Sequence, residues 1–387
     1  MCHQPRIGHH IELFVSSSLV VLSFFFLLGP SQLEAGPIYS LQNLGSIGSG
    51  AGAVTAINSS GTVVGFVTNA TGNQTPVAFN GSAQVLSSQA QGQANGINST
   101  GTVVGTYSPN NQSPSVAEWS NGQMTNLGIT GYGTAINDSG QIAGAYQTAT
   151  GDLHAFTLAP GGKLVDLGTL GGTWSSAYAI NASGQIAGTS TLATGAYNAF
   201  FDTGSQMTDL GTLGGRNSYG LAMNDLGEVV GNAQTSQQLS NAFAWINGKM
   251  TDLGTLGGSQ SYAYGVNDSG TIVGYSWITG NTATNGFIVV NGVMIDLNSL
   301  LPAGSGWTID AAYAINNAGD IAAIGTYDGQ QYAVELIPGF GDFAVAAVPE
   351  PEMLLLTGIG LIVVGRVARG RILKASASSA GGHRPIS

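Results

Sequence analysis

Cysteine is almost missing from this chain: 387 residues contain one, Cys2. A body without thiols builds neither a disulfide framework nor a thiolate metal site. Charge is also scarce, at 7% of residues. Between Gly36 and Pro349 the only basic side chains are Lys163, Arg216 and Lys249, against sixteen acids. So acidic a body repels phosphate backbones, which excludes nucleic acid as a partner. The same span holds one histidine, His154, so a Ser-His-Asp or Cys-His centre has only one place to form. What is abundant is glycine, 60 residues, alongside an apolar content of 43%. That combination describes a real core made of short strands and tight turns.

One stretch recurs. "YAINASGQIAG" at Tyr178–Gly188 is nearly copied by "TAINDSGQIAG" at Thr134–Gly144 and by "YGVNDSGTIVG" at Tyr264–Gly274. Its asparagine returns as Asn58, Asn98, Asn137, Asn181, Asn224, Asn267 and Asn316, at spacings of 40, 39, 44, 43, 43 and 49. A glycine follows three residues after each. Seven copies of a unit near 43 residues call for a repeat architecture.

Each unit contains four strand-like runs, in the fourth copy "SAYAIN", "GQIAGTS", "NAFFD" and "QMTDLGTLGG". "NASG" joins the first two, with Asn folding back on the turn and Gly supplying a positive φ. Four strands in a repeat of this length predict a propeller blade. The seventh copy has no fourth strand, while a spare one, "IYSLQNLGSIG" at Ile38–Gly48, precedes the first. The expected fold is therefore all-β: a seven-bladed β-propeller of four-stranded antiparallel blades, closed by the N-terminal strand completing the last blade. Strand one, rich in Ala and Gly, would line the central channel. The recurrent Phe79, Phe156, Phe200, Phe243 and Phe287, with Trp119 in the second copy, would pack between blades. The glycine of strand two (Gly65, Gly105, Gly144, Gly188, Gly231, Gly274) would mark close backbone approach.

The two ends read as addresses, each with a short apolar helix. Residues 1–35 form a secretory signal peptide, with an apolar run at Leu13–Leu28 and "LEA" before Gly36. The propeller body is 36–340 and a linker is 341–352. At 353–387 an apolar transmembrane helix precedes a basic tail, which would hold that end in the cytoplasm and leave the body outside. Val348, Pro349, Glu350 and Pro351 stand before the apolar run, and Arg366, Arg369 and Arg371 follow it. That order resembles the PEP-CTERM sorting signal of Gram-negative bacteria. The resemblance implies processing by an exosortase, transient residence in the inner membrane, and a host that makes exopolysaccharide or a biofilm matrix. The tail "ASASSAGGHRPIS" continues past the point where such signals end.

"HAF" at His154–Phe156, "DLGTLGG" at Asp166–Gly172 and the "INxSGQIxG" runs resemble the HAF-repeat family of bacterial extracellular proteins. The resemblance covers the whole mature chain. It implies secretion and repetition, and no particular activity. Asn198, Asn241 and Asn285 replace His154 in other copies, which argues against a metal role for it.

Catalytic chemistry is sparse. Most acids sit at repeated positions, such as Asp138, Asp225 and Asp268 after the turn asparagine. Glu118, Glu228, Asp310 and Glu335 are not repeated, and a glycosidase needs only two carboxylates. No "DxDxDG" calcium loop and no P-loop lysine are present, and no cofactor or metal is expected. The connections leading into strand one carry Trp174, Arg216, Tyr219, Tyr262 and Trp307, beside loops rich in Asn, Ser and Thr. Aromatic faces in such company can stack on sugar rings, or can seal the packing of blades. The leading expectation is a non-enzymatic surface or matrix protein that binds exopolysaccharide or matrix proteins through those five residues. The alternative is a polysaccharide hydrolase or lyase on the same scaffold.

Overall fold

A computed structural model describes residues 39–339, apart from 48–51, 80–81, 87–90, 109–112 and 205. The expected signal peptide, the Val-Pro-Glu-Pro linker and the C-terminal sorting helix lie outside the described residues. Among those described there is no α-helix, only a 3-10 turn at Leu297–Leu300. No helix there is long and apolar enough to cross a membrane.

The chain is an all-β propeller, and the expected division into seven four-stranded blades needs correction. The separate four-stranded sheets number four, and the remaining strands, between Gln91 and Asp209, join into one sheet of eleven. The fusion has two causes. Between the second and third copies the connection is short: Asn126 stands 11 residues before Asn137, whereas between the third and fourth Asp166 stands 15 before Asn181. With four residues fewer there is no slack for a break. A single strand, Gln123–Ile136, pairs at one end with Ser115–Ser120 and at the other with Ile142–Gln147. The second join is a single parallel pairing of Leu153 with Trp174. At the chain's start, Tyr39–Ser46 pairs antiparallel with Gln330–Pro338 and forms the outer strand of the last sheet.

The repeat itself shows most clearly in its asparagines. All seven are buried. Each side-chain Oδ1 accepts the main-chain N–H four residues on, at 2.9–3.0 Å, and so closes its own hairpin turn. Each Nδ2 donates to the main-chain carbonyl of the asparagine in the next copy, at 3.0–3.4 Å. Asn316 closes the circuit onto Asn58. A buried amide must have both its donor and its acceptor met, and here one side chain serves the turn and the ring together.

The core lies between successive copies. Phe156 is fully buried against Val104 and Val116 of the preceding copy, and Phe200 packs in the same way against Ala143 and Ala155. Phe79 carries the contact across the closure, onto Ala322 and Ala333 of the last copy. Burial of such a ring contributes about 1.5–3 kcal/mol. The ring also explains the glycine of strand two. A Cβ on Gly188 would sit 2.8 Å from the Phe200 ring and inside contact distance of the Ser176 carbonyl.

Candidate functional site

Every first strand carries a bulge, and each bulge falls three residues before the turn asparagine. The register slips around Thr55, Asn95, Thr134, Tyr178, Leu221, Tyr264 and Tyr313. A bulge re-aims a side chain. All seven line a cup of about 640 Å³, together with Gln93, Tyr132, Trp174 and Ser176. Adjoining the cup is a second cavity of about 250 Å³, which shares the seven bulge residues and adds a ring of Ile57, Ile97, Ile136, Ile180, Met223, Val266 and Ile315, one residue from each copy. Five of the turn asparagines, Asn58, Asn181, Asn224, Asn267 and Asn316, line the far mouth with Asp138, Asp225 and Asp268. Asp138, Asp225 and Asp268 each accept a main-chain N–H from the copy before, at 2.8–2.9 Å.

The cup has two unlike walls. Copies one to three contribute Thr55, Asn95 and Thr134, with Gln93 above them. Thr55 and Thr134 donate to the carbonyls of Ala94 and Ala177 in the next copy, and Asn95 donates to Gly133. Hydroxyl oxygens with their hydrogens spent on the frame are left as acceptors. Copies four, six and seven contribute Tyr178, Tyr264 and Tyr313 instead. Tyr264 packs against Tyr275 at 5.7 Å and Tyr313 at 5.3 Å. Burial, then the neighbouring Tyr275, pushes the Tyr264 hydroxyl far above the usual phenol range. Burial also raises the Tyr178 hydroxyl and, with Tyr275 and Asp310, that of Tyr313. These hydroxyls stay neutral across the physiological range. Among the described residues no Asp, Glu, Lys, Arg or His lines the cup.

The five residues singled out in the sequence separate. Trp174 is on the cup wall and meets Tyr197 edge-on at 5.6 Å. Tyr197 stacks on Tyr219, and Tyr262 lies 5.0 Å from Tyr275, so these rings continue the aromatic wall outward. Arg216 is exposed and does not line the cup. Trp307 lies elsewhere, packed against Tyr327 and Tyr332. The sequence reading missed Gln93, Asn95, Tyr132, Thr134, Tyr178, Tyr264 and Tyr313. For Asn95, Thr134, Tyr178, Tyr264 and Tyr313 a signal was present in the alignment of copies: the position three before each asparagine changes character while its flanks repeat; Gln93 and Tyr132 stand two residues earlier in their strands.

The four non-repeated acids do not meet in the cup. Glu118 lines a separate cleft between the second and third copies. Glu228 accepts from Asn224 at 2.7 Å, and Asp310 from Thr326 at 2.7 Å. Glu335 is buried with Asp320 nearby, and burial followed by that charge raises its pKa. His154 bonds Asp166 at 3.0 Å. Asn198–Asp209, Asn241–Asp252 and Asn285–Asp296 make the same contact in other copies, at 2.6–3.0 Å. The motif histidine is thus a structural partner of the "DLG" aspartate, whose carboxylate also accepts the N–H of Gly168. Among the described residues no three His, Cys, Asp or Glu side chains gather as a metal site.

The fold defines a β-propeller with an axial cup. No protein-family model matches the sequence, and no curated protein matches it. Similar solved structures include TolB from Acinetobacter baumannii, at 12% identity and a TM-score of 0.43. The match spans 72% of this chain and 63% of that one. The SapL1 lectin in complex with alpha methyl fucoside gives 14% identity and 0.41, over 63% and 94%. The BP39L lectin from Burkholderia pseudomallei gives 9% and 0.36, over 77% and 98%.

Proposed function

We propose that the protein is an exported, non-catalytic binding module that holds a polysaccharide of the cell surface or extracellular matrix in its axial cup. The cup's composition carries this reading. Aromatic faces stand opposite side-chain amides and hydroxyls, which is how a site meets a molecule with apolar faces and hydroxylated edges. Glycoside hydrolysis needs a pair of carboxyl groups beside the bond, and among the described residues none lines the cup. The C-terminal resemblance to a sorting signal supports export through the inner membrane and handling by an exosortase.

The test is to incubate the purified protein with bacterial exopolysaccharides while following both binding and new reducing ends. Saturable binding without new ends is expected. Release of ends would replace this reading with the hydrolase or lyase, and absence of binding to any glycan or matrix extract would remove it.

A further inference from the structure

We propose that the cup takes the uncharged pyranose end of a glycan chain, one end per protein, entering along the propeller axis. This rests on the glycan-binding reading and makes it specific.

Three observations lead there. The first is charge. The chain carries a formal −11, and Lys163, Arg216 and Lys249 all lie away from the cup lining. A uronate or sulfated polymer would approach a surface of its own sign and find no cation at the site. The second is the division of the walls. Tyr178, Tyr264 and Tyr313 bring aromatic rings to one side, whereas Gln93, Asn95 and Thr134 bring amide and hydroxyl groups to the other. A pyranose presents C–H groups on a face and hydroxyls around its rim, so it satisfies both walls in one orientation.

The third is closure. The asparagine circuit makes the wall continuous around the axis, and beneath the cup stands the ring of apolar side chains from Ile57 to Ile315. Hydroxyls pressed against that apolar ring would lose water for few partners, which costs roughly 1–3 kcal/mol for each unpaired group. A sugar therefore stops in the cup. A cup walled on every side of the axis admits the end of a chain; the middle of a chain would need a groove open along its length. The volume, about 640 Å³, falls within the range of roughly 300–1,000 Å³ for small-ligand sites.

Calorimetric titration of the purified protein tests this with linear cello-, malto-, laminari- and manno-oligosaccharides of two to six units, with cyclomaltohexaose, and with oligogalacturonate. The expected result is a neutral linear oligomer binding at one per protein, with affinity that levels off by about three units. For that sugar, two polymer fractions of different length should bind in proportion to their chain ends. Trp174→Ala and Tyr132→Ala should each weaken binding tenfold or more, and Trp307→Ala should leave it unchanged. Tyr132 is 43% exposed, so its removal leaves folding intact. Equal binding of oligogalacturonate or the cyclic sugar, affinity that climbs with every unit, or indifference to both cup variants would overturn the end-on inference and leave glycan binding standing. Failure of every neutral oligomer overturns the inference as well. If the exopolysaccharides also fail to bind, both readings fall.

Discussion

Asn316 donates its side-chain amide to the main-chain carbonyl of Asn58 at 3.1 Å, across 258 residues of sequence. This one bond converts a row of six equivalent links into a circuit of seven. It joins the last copy to the first on the inside, while Tyr39–Ser46 joins them on the outside through Gln330–Pro338.

Removal of one asparagine should be felt in two places. Asn137→Ala leaves the Gln141 N–H without its cap and the Asn181 carbonyl without its donor. The expected loss is about 2 kcal/mol. Asn137→Asp keeps the cap but sets an acceptor against a carbonyl, and should cost at least as much. Urea denaturation midpoints check both; an unchanged midpoint would mean the circuit carries no stability.

Two glycines separate crowding from backbone conformation. Gly188→Ala would force a methyl group against the Ser176 carbonyl and the Phe200 ring, and should cost about 3 kcal/mol or more. Gly122→Ala meets nothing within 4 Å and suffers only from its φ of +75°, about 1 kcal/mol. Thermal unfolding of the two variants should differ clearly.

His154→Asn should be close to silent, within about 0.5 kcal/mol, because three other copies already use asparagine against the same aspartate. The check is the melting temperature with and without added zinc. A zinc-dependent rise in the parent that vanishes in the variant would assign the histidine a metal role instead.

Glu335 makes stability depend on pH. Burial, and then the charge of Asp320, raise its pKa in the folded protein. The unfolded chain, with an ordinary value near about 4.3, therefore releases the proton more readily. The contribution is complete below that value and is lost as pH rises through the raised one. Glu335→Gln should match the parent near about pH 4 and melt at a higher temperature near about pH 8. Parallel melting curves at both pH values would contradict the assignment.

The turn "NxSG", the copy number and the small residues of strand one were legible because each follows from a local requirement. Asn must cap and bridge, Gly must take a positive φ, and Gly188 must leave room for Phe200. The partition into sheets was not legible. It depends on whether a connection is long enough to break, and Gln123–Ile136 shows that four missing residues join two units. The cup was only partly legible. Trp174 stood out by type, but Tyr178, Tyr264 and Tyr313 resembled ordinary strand residues until the bulges turned them to the axis. Trp307, equally conspicuous in the sequence, turned out to pack against Tyr327 and Tyr332.

The most direct test of a glycan-binding axial cup is a crystal structure of the protein with a bound neutral oligosaccharide. Density for a terminal sugar between Tyr264 and Tyr313 on one side and Gln93 and Asn95 on the other is the predicted result. A sugar found instead in the cleft beside Glu118 and Leu127, with the cup empty, would contradict it.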